Sequence, residues 1–176
     1  MVPVLMTGSS RNRLLILVAA ALPLAGVARA QDMTEVGVGM PAPVVSINDL
    51  GGRPVNLGDY VGREPVFLLF WATWCEQCQA LLPKVRDAAR AYGDRIKFFG
   101  INVTVGETPA RVREYVAKHD PPYQVLYDTE GVSQRAYGVL ATAFVVIVDR
   151  RGTIVYTGYG PGQRLDEALA RASGGS

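Results

Sequence analysis

The chain is poor in cysteine and histidine, and each scarcity narrows the chemistry. Its 176 residues hold two cysteines, Cys75 and Cys78, and one histidine, His119. A closed zinc site takes four ligands, so one Cys-x-x-Cys and a solitary imidazole argue against one. Charge is also sparse, at 19% of residues, and formally nets only +2. No basic patch suited to nucleic acid stands out. There is no internal repeat and no low-complexity tract. What is present is a 49% hydrophobic composition, enough for one packed domain and too short for two.

The longest apolar stretch, Leu14 to Val27, falls short of the ~20 residues of a membrane span and contains Pro23. Arg11 and Arg13 precede it, and Ala28-Arg29-Ala30 follows as a small-x-small triplet. That order describes a secretory signal peptide over residues 1–30, with cleavage before Gln31. The competing reading is an uncleaved anchor. Leu24–Gly26 is followed by Val27 rather than cysteine, which argues against a lipid-anchored form. Losing Arg11, Arg13 and Arg29 leaves 15 basic against 16 acidic residues, a net charge near −1. The expected product is soluble and exported to an oxidising compartment where a cysteine pair can cycle.

Residues 31–36 read as a flexible lead-in within the loose stretch "QDMTEVGVG", and 37–174 as the folded domain. "PVVSINDLGGRPVNL" predicts two short strands around a Gly-Gly turn. "PVFLLFWA" and "IKFFGINV" are buried strands. From Cys75 the period becomes helical, with Leu81, Val85, Ala88, Ala89 and Tyr92 on one face and Gly93 as a stop. Thr108 caps a second helix that has Pro109 in its first turn. A short strand and a short helix follow, then the strand "AFVVIVD", a turn at Arg150–Thr153, its hairpin partner "IVYTGYG", and a closing helix. Such alternation predicts an α/β fold around a mixed sheet.

"WATWCEQC" sits where a buried strand ends and a helix begins. A bridge across three residues restricts the unfolded chain little, so a purely structural staple explains the pair poorly. At a helix N-terminus, Cys75 meets unpaired N–H groups and the positive end of the dipole, which stabilise a thiolate. Cys75 is therefore the expected attacking thiol, and the more exposed of the two, with Cys78 as the resolving thiol. A peroxide-reducing thiol protein is the rival, but its Pro-x-x-x-Thr motif falls on Leu68 and Ala72.

"FWATWCEQC", with Pro83 beyond it, resembles the thioredoxin superfamily. The lead-in hairpin, the inserted "TPARVREYVAKHD" segment and "YGVLATAFVVIVDRRGTIV" resemble its TlpA/ResA-like branch over roughly residues 37–172. The resemblance implies a thioredoxin-like fold: a central mixed sheet flanked by helices, an N-terminal β-hairpin and an inserted αβ segment. It also implies a periplasmic reductant of protein or apocytochrome c disulfides, recharged by a membrane electron donor of the DsbD type. No cofactor beyond the redox-active disulfide, no metal and no nucleic acid is expected, and the protein should be a monomer.

Three departures from the family pattern matter. The buried acid six residues before the first cysteine is Leu69 here, and the glutamate three after the second is Leu81. Glu76 is then the nearest acid in sequence. Its charge disfavours the Cys75 thiolate and so favours a reductant. With Gln77 it is assigned a modulating role. The family's cis-proline position is Ala143, which should lie beside Cys75, and the Thr142–Ala143 bond is expected to be trans because a non-proline cis bond costs about 2.5–4 kcal/mol. Thr142 and Ala143, with Trp74 as an exposed platform, are the implied substrate-binding residues. Ala143→Pro is expected to speed disulfide reduction and to lower affinity for copper or zinc.

Trp71 is assigned to the core, His119 to a solvated helix end, Arg150-Arg151 to turn charge, and Tyr156 and Tyr159 to the sheet surface. Met33 and Met40 could in principle bind soft copper. The reading from another class is a copper-handling or partner-binding domain that uses the cysteines as ligands without turnover.

Overall fold

A computed structural model describes residues 36–174. The expected signal peptide (1–30) and all of the expected lead-in (31–36) except Val36 lie outside these residues.

Seven strands form one sheet in the order β2-β1-β5-β4-β3-β6-β7. β3 (Val66–Trp71) is an interior strand, and every one of its residues is buried. That burial is why its sequence is a continuous apolar run instead of an alternating one. β3 pairs in parallel with β4 (Lys97–Asn102) and antiparallel with β6 (Phe144–Val148). β4 continues in parallel to β5 (Gln124–Tyr127), and the hairpin of β1 (Ser46–Asp49) and β2 (Pro54–Asn56) adds to β5. β7 (Ile154–Tyr159) closes the other edge against β6.

The helical pattern from Cys75 becomes α1 (Glu76–Tyr92), which buries Leu81, Val85 and Ala88 and ends at Gly93. Pro83 lies inside α1, where it removes one ladder donor. α2 (Pro109–His119) is capped as its sequence predicts, with Thr108 Oγ1 accepting the Arg111 N–H at 3.2 Å. α3 (Val132–Ala136) is short, and α4 (Leu165–Ala172) packs against α1, β6 and β7. Gly100 in β4 is required by contact, because a Cβ there would come within 2.2 Å of the Tyr123 ring.

The lead-in differs from its expectation. Val36 is only 7% exposed and joins the core. Met40 and Gly39 exchange backbone bonds with Ile154, and Ala42 donates to Gly152 at 2.9 Å. β7 is an edge strand, and this segment pairs with the Ile154 N–H and carbonyl on its outer side. Tyr137 locks the same region by donating its hydroxyl to the Pro43 carbonyl at 2.7 Å.

Two turns share one device. Asp49 accepts the N–H groups of Gly51 and Arg53, and Asp149 those of Arg151 and Thr153. Burial works against ionisation of Asp149, but the N–H groups of Thr153 and Arg151 and the Arg151 guanidinium outweigh it and hold the carboxyl below its usual range. Arg151 thus belongs to the turn, as assigned from sequence.

Candidate functional site

The pairing register assembles the site. Trp71 faces Asn102 on β4, and Phe70 faces Phe144 on β6. The segments that follow β3 and β4, and the one that precedes β6, therefore meet at one end of the sheet. They are Ala72–Cys75, Val103–Thr108 and Leu140–Ala143.

Cys75 is the N-cap of α1, with extended backbone, and its Sγ accepts the Cys78 N–H at 3.0 Å. A sulfur in that position receives an orphan helix donor as well as the dipole, so a thiolate there is favoured. Cys78, one turn in, is bonded to Cys75, and the Cα atoms are 5.2 Å apart. The two residues are equally covered, at 4% and 5% exposure. The expectation that Cys75 is the more exposed is therefore corrected. As a cap, its side chain folds back over the first turn instead of pointing outward. The difference between the cysteines lies in the hydrogen bond, not in accessibility.

Trp74 is 51% exposed, and its indole N–H donates to the Val105 carbonyl at 2.7 Å. That bond holds the ring as a fixed apolar face. With Val103, Val105, Leu140, Ala141 and Thr142 it lines a shallow cavity of about 220 Å³. Trp71, by contrast, is buried against Tyr115 and Tyr123. Glu76 and Gln77 are exposed on the first turn of α1, and Gln77 lies over Gly160.

No cis peptide bond occurs among the described residues, so Thr142–Ala143 is trans as expected. Ala143 is fully buried and adopts φ 58°, the left-handed region. Its carbonyl accepts the Gly160 N–H at 3.0 Å and the Gln163 amide at 3.1 Å. Gln163 is itself buried, donates to the Gly160 carbonyl at 2.7 Å and receives the Tyr156 hydroxyl at 3.2 Å. This corrects the expectation for Ala143→Pro. A proline ring fixes φ near −65°, so proline cannot take this backbone.

Sequence reasoning also missed an acid. Glu107 accepts the Thr73 N–H and hydroxyl through its two carboxylate oxygens, at 2.5 and 3.0 Å. Asn102, fully buried at the end of β4, adds a longer contact at 3.4 Å. Among the described residues no group of three or more His, Cys, Asp or Glu side chains is gathered as a metal site. His119 ends α2 half-buried and stacked on Tyr115.

The chain belongs to the AhpC/TSA family, whose model matches residues 38–157. It is similar to the thioredoxin-like protein YneN of Bacillus subtilis (strain 168), at 32% identity over 123 residues, 68% of this chain and 71% of that protein. It is also similar to the thiol-disulfide oxidoreductase ResA of Geobacillus thermodenitrificans (strain NG80-2), at 30% identity over 124 residues and 70% of each chain. A thiol:disulfide interchange protein DsbE structure from Chlorobium tepidum superposes with TM-score 0.71 at 24% identity. It covers 80% of this chain and 100% of that one, a likeness of fold. The protein is a thiol–disulfide oxidoreductase. The positions of the peroxidatic motif, Leu68 and Ala72, are fully buried apolar residues.

Proposed function

We propose that the protein is an exported reductant of protein disulfides, with Cys75 as the attacking and Cys78 as the resolving sulfur. The observation that carries this reading is the 3.0 Å bond from the Cys78 N–H to Cys75 Sγ. It singles out one sulfur of the pair for stabilisation as thiolate, the nucleophilic form.

In the reduced protein, the Cys75 thiolate attacks one sulfur of a client disulfide. A mixed disulfide forms, and the client's other sulfur leaves as a thiolate and takes a proton. Cys78 loses its proton and attacks Cys75 Sγ, which frees the second client sulfur. The client gains two electrons and two protons, and the protein is left with the Cys75–Cys78 bond. The Trp74 face with Leu140, Ala141 and Thr142 provides the surface at this end of the sheet on which a client would lie, and Ala143, fully buried, supports it from below.

Apocytochrome c is the client we favour, a membrane transporter of the DsbD type the electron source, and the periplasm the compartment, with the protein acting as a monomer. Support comes from the leader-like N-terminal sequence and from the exchange enzymes among the relatives. Cys78→Ser should accumulate covalent client adducts that dithiothreitol releases, and Cys75→Ser should accumulate none. Equal trapping by both variants, or trapping by Cys75→Ser alone, would overturn the assignment.

A further inference from the structure

Between β4 and α2 the chain spends strain to aim one carboxylate at the redox turn. Thr104 adopts φ 61°, a left-handed backbone that β-branched residues avoid. Three bonds hold it there. The Asn102 side chain accepts the Thr104 N–H at 3.0 Å, the Thr104 hydroxyl donates to the Asp128 carbonyl at 3.1 Å, and the Thr104 carbonyl accepts the Glu107 N–H at 3.0 Å. Gly106, also left-handed at φ 67°, completes the reversal. The segment then grips both residues that precede Cys75: the Val105 carbonyl takes the Trp74 indole, and Glu107 takes the Thr73 N–H and hydroxyl. Among the described residues no lysine or arginine forms an ion pair with Glu107. A strained turn of this kind persists only where its surroundings over-determine it, and such turns cluster at working sites.

We propose that Glu107 is the positioning residue of the Cys75 turn and that its unneutralised charge makes the Cys75–Cys78 couple more reducing. The hydrogen bonds to Thr73 fix where the chain enters α1, and so where Cys75 caps it. The charge acts once the disulfide opens. A carboxylate bonded to the chain two residues before Cys75 disfavours the Cys75 thiolate, and a less stabilised reduced pair gives up its electrons more readily. Glu76 carries the same sign but is exposed, so solvent and salt screen it more. The inference rests on the exchange function proposed above.

The test is equilibration of the protein with glutathione at about pH 8, where a thiolate is populated. Two glutathione thiols reduce one Cys75–Cys78 disulfide and become one glutathione disulfide, so electrons and protons balance. Glu107→Gln keeps the side-chain shape and removes the charge. The equilibrium should move roughly threefold to tenfold toward the dithiol, about 15–30 mV. Glu76→Gln should shift it less. Glu107→Ala should also lose the protection of the Thr73 amide against hydrogen exchange, which Glu107→Gln retains. An unchanged equilibrium in Glu107→Gln, or a larger shift in Glu76→Gln, overturns the electrostatic role. Full Thr73 protection in Glu107→Ala overturns the positioning role. If the unaltered couple does not exchange with glutathione at all, the function itself fails and this inference falls with it.

Discussion

Replacing Ala143 by proline, the residue of the family pattern, should damage the fold, whereas glycine there should leave stability close to the parent value. Both magnitudes follow from φ 58° at a fully buried position. An L-residue in the left-handed region is disfavoured by about 1–2 kcal/mol, which glycine relieves. Against that, glycine loses one buried methyl, about 0.8 kcal/mol, and gains unfolded-state freedom, about 0.4–1 kcal/mol. The terms nearly cancel, so Ala143→Gly should lie within about 1 kcal/mol of the parent. Proline must turn φ by well over a right angle to reach about −65°. That swings the Ala143 carbonyl away from the Gly160 N–H and the Gln163 amide. Each lost bond costs about 0.5–1.5 kcal/mol, and each stranded buried group about 1–3 kcal/mol. A loss of about 3–4 kcal/mol should lower the melting temperature by roughly 10 °C. Thermal and urea unfolding of the two variants measure the gap directly. A proline variant that melts within about 2 °C of the parent, or a glycine variant that loses 3 kcal/mol or more, would refute the reasoning.

Trp74→Ala should raise KM for a protein client roughly twofold to tenfold, since an aromatic contact is worth about 0.5–1.5 kcal/mol. The glutathione equilibrium of the same variant should stay within about twofold, because the ring holds no charge near the sulfurs; a shift in the potential instead of in KM would remove its platform role. Tyr137→Phe leaves the Pro43 carbonyl without its donor and should cost about 1–3 kcal/mol in urea unfolding. Asp149 has its carboxyl pKa lowered in the fold, so its contribution is present above the unfolded value and disappears as pH falls through the folded one. Asp149→Asn should accordingly cost about 1 kcal/mol in urea at neutral pH, and the difference should close in acid. A gap that persists at about pH 2 would show that the charge is not involved.

The order of elements was legible because each rests on local chemistry. β3 reads as buried from six apolar residues in a row, and α2 announces its start with Thr108 and Pro109. The exchange couple was equally legible, since a strand, a Cys-x-x-Cys and a helix in sequence place one sulfur on orphan helix donors. Val36 was not legible. It lies within "QDMTEVGVG", whose polar and glycine-rich composition signals a loop, and its burial depends on backbone groups of Gly152 and Ile154 more than 110 positions away.

Glu107 escaped for a related reason that also indicates where to look. Judged by sequence distance, the acid for Cys75 is Glu76, its neighbour, while Glu107 stands 34 positions from Thr73. A sheet measures distance differently. Once "PVFLLFWA" and "IKFFGINV" are taken as parallel neighbours, whatever follows one strand end meets whatever follows the other. Trp71 opposite Asn102 then puts "TWC" against "TVGET". The acids worth testing for a redox turn of this kind are those just beyond the adjacent parallel strand. On the helix itself, a carboxylate beside the cysteine faces water and is screened. Beyond the next strand, it reaches the turn from the neighbouring loop and hydrogen-bonds the chain at Thr73, two residues before the sulfur.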